Sequence, residues 1–224
     1  MTCAVMSTGG NGSLRCRIAA LLLTGLMAVG ARAHEQAQAE QGHAAPSPAA
    51  GQSATPLYTQ DELLFLSRMI MHHEQAVEMA ALVPSRSHRE EFIRFARYVD
   101  GSQRAEIDQM QSLLRAAAER GLKVPHHDMH GDPPMTGMLS KAQMAALAAA
   151  SGAEFEGLWL RGMIYHHQGA LDMAREQQQR QFETRRHPFG IDTLVDDILN
   201  AQRAEIAKMR GWLTQWGLGT PQTG

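Results

Sequence analysis

The stretch RMIMHHEQAVEMA, residues 68–80, is written again as GMIYHHQGALDMA, residues 162–174. Met69, Ile70, His72, His73, Ala76, Met79 and Ala80 return as Met163, Ile164, His166, His167, Ala170, Met173 and Ala174, each 94 positions later. Farther along, QRAEIDQM (103–110) returns as QRAEIAKM (202–209), now 99 positions later. The five extra residues fall in the loop joining the paired segments, so each half reads as one helical hairpin. Neither hairpin can bury its apolar stripe alone. Two of them pack most simply as an all-α four-helix bundle built from two repeated hairpins.

Local signals set the helix limits. Thr59-x-x-Glu62 is a capping box opening a helix that Pro84 stops at about Val83. Ser87-x-x-Glu90 opens a second, running to Gly121. Ser140-x-x-Gln143 opens a short Ala-rich helix, and Ser151-x-x-Glu154 a third long one, to about Gln181. Pro188 restarts the chain for a fourth, over about 191–216, ended by Gly217. No segment alternates with period two over a useful length, so no sheet is expected. The bundle domain is thus predicted over 57–216, with a Pro-, His- and Met-rich connector at about 122–139 and a tail at 217–224.

Arg15 and Arg17 precede the apolar run IAALLLTGLMAVG and the pattern Ala31-Arg32-Ala33. This reads as a secretory signal peptide, residues 1–33, rather than a retained anchor. The Ala-, Gln-, Pro- and Ser-rich residues 34–56 read as a disordered leader. Both cysteines, Cys3 and Cys16, lie in the signal segment, so the exported chain would hold no thiol although disulfides are allowed where it goes. The cut removes three of the 21 basic residues and none of the 23 acidic ones, leaving a formal charge of −5. A nucleic-acid binder is excluded on that balance, and no membrane contact is expected after cleavage. All 11 histidines survive, and so do 11 of the 14 methionines, since only Met1, Met6 and Met27 are lost.

At about 100° per residue, Met69, His72, His73, Ala76 and Met79 share one half of their helix, as Met163, His166, His167, Ala170 and Met173 do of theirs. Met71, Glu74, Gln75 and Glu78, with their counterparts Tyr165, Gln168, Gly169 and Asp172, are predicted to face outward. On the partner helices Gln103, Glu106 and Met110, and likewise Gln202, Glu205 and Met209, share a face. A methionine at helical spacing usually fills core. Buried histidine without a partner costs on the order of 1–3 kcal/mol, so four inward copies call for a role. Thioethers are soft, neutral ligands, and with imidazole they select copper, above all Cu(I), whereas zinc prefers thiolate, imidazole and carboxylate. The candidate ligands are therefore Met69, His72, His73, Met79, Met110, Met163, His166, His167, Met173 and Met209. Adjacent histidines point about 100° apart, so each pair is expected to serve different ions, or one ion and the core.

The connector adds His126, His127, Met129, His130, Met135 and Met138 as further candidate metal ligands, and His34 would become the new amino terminus, able to hold Cu(II) through amine and imidazole together. Enzyme motifs fail. Val77 stands where the zinc-protease pattern begun by His73-Glu74 needs its second histidine, and neither Glu106 nor Glu205 is followed three residues later by the histidine of a di-iron cage. Both carboxylates remain available to steady a histidine from behind.

MTGM, FEGLWLRGMIYHHQGALDMA and QRAEIAKMRGWL together resemble the secreted ferritin-like bundles catalogued as domain of unknown function 305, some of whose members are periplasmic copper-binding proteins of the CopM type. The resemblance covers about 57–216. It implies a ferritin-like four-helix fold and copper handling in the bacterial periplasm through these Met and His residues. The expected function is a secreted or periplasmic copper-binding protein that buffers or transfers copper, exchanging it with other copper carriers or exporters and supporting copper tolerance. It would not be an enzyme. A ferritin-like metal-dependent redox enzyme and a structural helical module are the alternatives.

Overall fold

The computed structural model describes residues 57–125 and 135–219. The signal segment, the leader, His34, the connector residues His126, His127, Met129 and His130, and the end of the tail lie outside the described residues. Five helices follow in order: α1 Gln60–Leu82, α2 Glu90–Glu119, α3 Lys141–Ala149, α4 Gly152–Thr184 and α5 Ile191–Gln215. Among the described residues there is no strand, and no helix is long and apolar enough to cross a membrane.

α1 and α2 form one antiparallel hairpin, α4 and α5 the other, and α1 packs on α4. Thr59 caps α1 as its sequence predicts: its hydroxyl accepts from Glu62 N at 3.2 Å while Glu62 Oε2 accepts from Thr59 N at 2.7 Å. Ser140 caps α3 with Gln143 in the same way. The box expected at Ser87 does not form. α2 starts at Glu90, capped by Arg89 without a side-chain bond. The Ser87 hydroxyl instead donates to Glu156 Oε1 on α4 at 2.6 Å, and Arg89 Nε reaches Glu156 Oε2 at 2.8 Å. Glu156 is 4% exposed, and a buried carboxylate left short of donors costs more than a helix end that water can satisfy. Ser151 likewise makes no cap bond. There Gly152, at φ +58°, donates its N–H to Arg86 O, tying α4 to the first hairpin's turn. α4 also runs three residues past the expected Gln181, to Thr184, and closes on Arg185 in the left-handed region at φ 53°.

Ser87→Ala is expected to cost about 2 kcal/mol, the worth of a hydrogen bond to a buried charge. Urea unfolding would report it as a lower midpoint at unchanged slope.

One end of the bundle is closed by aromatic rings from three helices. Phe92 stands edge-on to Trp159 at 4.9 Å, and Trp212 stacks on Trp216 at 4.9 Å. Trp159 Nε1 donates to Met79 O at 2.8 Å, which fixes α4 against α1. At the far end Arg186 pairs with Glu62 at 3.1 Å and Tyr58 Oη donates to Phe189 O. Between these two fastenings lies the stretch that holds the repeated histidines.

Candidate metal centre

α1 and α4 run antiparallel, so the two copies of the motif meet about a local pseudo-twofold axis. His72 and His166, equivalent in the repeat, face one another across it with ring centroids 3.8 Å apart and planes tilted by 40°. Both are fully buried. His72 Nε2 lies 3.1 Å from Thr136 O, and His166 Nε2 lies 2.8 Å from His72 O. Burial first, and the neighbouring His73 second, push the His72 pKa down to about 3. Burial and then His72 push His166 well below the usual histidine range. Both rings are therefore neutral. A carbonyl oxygen can only accept, so the one proton of each ring is on Nε2 and the lone pair is on Nδ1. Neither Nδ1 has a hydrogen-bond partner.

The second histidine of each pair turns to its own hairpin partner. His73 Nε2 meets Glu106 Oε2 at 2.6 Å, and His167 Nε2 meets Glu205 Oε2 at 2.5 Å. These two Nδ1 atoms are also buried and unpartnered. Ring centroids within each adjacent pair are 6.5 and 6.1 Å apart, one ring turned to the axis and the other to a carboxylate. Four imidazoles thus each have Nε2 tied to an oxygen and Nδ1 open. An imidazole ligand is oriented in this way when a carboxylate or carbonyl holds its other nitrogen.

The thioethers are arranged by the same register. One turn back from His73 is Met69, and one turn on from Glu106 is Met110, so the antiparallel pairing brings these two level. Met163 and Met209 stand in the same relation to His167 and Glu205. All four are fully buried. Met79 and Met173 are six residues beyond His73 and His167, about 9 Å along the axis at 1.5 Å per residue. Met79 is fully buried with its Cε against Gly162, while Met173 is half-buried. Among the described residues no three His, Cys, Asp or Glu side chains come together at metal-binding range.

Two positions predicted to face outward do not. Gln75 clasps Leu139, its Nε2 donating to Leu139 O at 2.9 Å and its Oε1 accepting from Leu139 N at 2.7 Å. Its repeat equivalent, Gly169, is buried, and a Cβ on it would come 2.0 Å from Thr136 O. The end of the connector, residues 135–139, therefore crosses both equivalent positions. A single strap cannot treat two symmetric helices alike, which explains why the copies differ there. Met135 and Met138 sit half-buried on this strap. Thr136, Gly137, Gln75 and Gly169 escape a reading based on ligand chemistry. The signal for them was a glycine in mid-helix at a position where the repeat breaks.

The profile of the family described as "Domain of unknown function (DUF305)" matches residues 62–213. Among solved structures, a DUF305 fragment from Deinococcus radiodurans is 30% identical, with 70% of this chain and 97% of that one covered and a TM-score of 0.60. A DUF305 protein from Streptomyces coelicolor, described as secreted, is 29% identical over 68% of this chain and 91% of its own, TM-score 0.58. CopM in its Cu(I)-bound form is 29% identical over 71% of this chain and 98% of its own, TM-score 0.54. CopM is also known in Cu(II)-bound and silver-bound forms. No curated protein gives a significant match.

Proposed function

Since the chain belongs to the DUF305 family, we propose that it is an exported copper-binding protein, periplasmic or secreted, which buffers copper or passes it on and prefers Cu(I). The observation that carries this reading is the set of four buried imidazoles with Nε2 fixed by oxygen and Nδ1 unpartnered, two of them at the repeat axis, with four buried thioethers one turn away. The donor set fits the cargo: imidazole nitrogen and thioether sulfur, no thiolate, and carboxylates only behind the histidines. The likeness to CopM supports the choice of metal. Copper is cargo here, exchanged with other carriers or exporters, and the protein is a binder rather than a redox enzyme. His73–Glu106 and His167–Glu205 orient ligands and do not supply the carboxylate cage that di-iron chemistry needs.

The test is a competition titration of the metal-free protein with Cu(I), Ag(I) and Zn(II), beside an oxygen-uptake assay of the copper-loaded protein. Cu(I) and Ag(I) are expected to bind stoichiometrically, Zn(II) to fail as a competitor at tenfold excess, and oxygen uptake to stay at the level of the buffer. Zinc binding of comparable strength would contradict thioether ligation, and sustained oxygen consumption would favour the enzyme.

A further inference from the structure

The solvent side of the His72–His166 pair is crossed by the strap, residues 135–139. Thr136 takes the His72 Nε2 hydrogen on its carbonyl and is itself exposed, so over this ring the cover is one backbone thick. Gly137, at φ +87°, lies directly on α4: a Cβ there would come 2.8 Å from both His166 O and Gly169 Cα. Gly169 returns the fit, having no side chain to hold Thr136 off. Beyond the glycines the Leu139 end of the strap is held by the Gln75 amide, through two neutral, part-buried hydrogen bonds, and by the Leu139 side chain, which is buried in the core. Open grooves flank it, one of about 530 Å³ lined in part by Thr136 and Gly169, the other of about 270 Å³ lined in part by Leu139 and Gly162. With the strap seated, neither ring has any exposed surface.

We propose that residues 135–139 are a door over the paired imidazoles. A soft monovalent ion reaches the Nδ1 atoms of His72 and His166 when Gln75 releases Leu139 and the strap lifts, and Met135 and Met138, carried on the door, are the donors it meets first. The inference rests on the copper reading and adds to it how the site opens. Local opening of this kind is drawn from the least buried contacts of a fold. A five-residue segment held by one neutral amide and one buried leucine fits that description better than the helices on which the histidines stand. The door also acts on the ligand itself: seated, it holds the proton of His72 on Nε2 and so keeps the lone pair on Nδ1.

Two substitutions open the door by different means. Gly169→Ala places a methyl where Thr136 O now sits and adds a helix-favouring residue to α4. Gln75→Ala removes both bonds to Leu139 and adds nothing, and serves should Gly169→Ala misfold. In the metal-free protein, acylation by diethyl pyrocarbonate, mapped by peptide mass, is expected to modify His72 at least tenfold faster in either variant than in the wild type, with helicity unchanged. Stopped-flow uptake of Ag(I), a redox-inert probe, is expected to quicken by a similar factor. The proposal is overturned by unchanged acylation of His72 in both folded variants, or by faster acylation with an unchanged Ag(I) uptake rate. Failure of the copper reading shows elsewhere, as no Ag(I) binding by the wild type at equilibrium; faster acylation would then leave the strap a cover but end its role in metal uptake.

Discussion

Moving the metal-free protein from pH 7.5 to pH 5.0 is expected to remove about 2 kcal/mol of folding stability through His72 alone. Unfolded histidine takes up a proton as the pH falls through about 6.5, while His72 in the fold resists protonation until about 3. Stability from this group is therefore complete above pH 6.5 and falls as the pH drops from there toward 3, by about 1.4 kcal/mol for each unit. His166, lowered in the same direction by its burial and by His72, adds to the loss. The groups around the pair are other histidines and carbonyl oxygens, with the Glu106 and Glu205 carboxylates already engaged by His73 and His167. Among the described residues, no unengaged carboxylate close to either ring offers an anion that would welcome a charge. Urea unfolding at both pH values, on the wild type and on His72→Gln, isolates the contribution: the wild type should lose about 2 kcal/mol more than the variant. Equal losses would mean that folded His72 accepts the proton.

This acid sensitivity was not legible in the sequence, although its ingredients were. Periodicity placed His72, His73, His166 and His167 inward, and it placed Met69, Met110, Met163 and Met209 there too; all eight are fully buried. It could not say that the His72 and His166 rings would face one another, because that depends on α1 and α4 being antiparallel neighbours, a relation between segments almost a hundred residues apart. The caps divide along the same line. Thr59 and Ser140 cap as written because their partners lie within one turn. Ser87 and Ser151 carry the same four-residue pattern, yet the first is claimed by Glu156 from another helix and the second yields to a backbone bond with Arg86. Gln75 and Gly169 illustrate the reverse. Read on their own helices they belong to the polar side, and only the path of the connector turns that side into an inner surface. Met173 is the one of the seven repeated motif residues whose burial departs from its equivalent: Met79 is fully buried, with Trp159 bonded to its carbonyl and its Cε against Gly162, while Met173 is half-buried.

The thioethers separate into two groups by distance along the helices, and this gives the largest effect expected on binding. Met→Leu keeps volume and apolarity and usually costs less than about 1.5 kcal/mol in a core, while deleting the only atom able to hold a soft ion. Met69 and Met163 stand one turn from a histidine whose Nδ1 is unpartnered, and Met110 and Met209 one turn from the carboxylate that holds that histidine. Changing all four to Leu is expected to leave the helicity of the metal-free protein unchanged while lowering Cu(I) affinity at least a hundredfold, about 2.7 kcal/mol. Met79→Leu with Met173→Leu should have the smaller effect, since each stands six residues, about 9 Å of helix rise, from His73 or His167 and Met173 is only half-buried. Met71→Leu, on the far side of α1, should have none. His72→Ala with His166→Ala should weaken binding as well, at a cost in folding that the methionine series avoids. Competition against a Cu(I) chelator, with melting curves of each metal-free variant, reads all of these together. If the fourfold leucine variant keeps wild-type affinity, the buried methionines are packing, and copper, where bound, is held by histidine nitrogen without them.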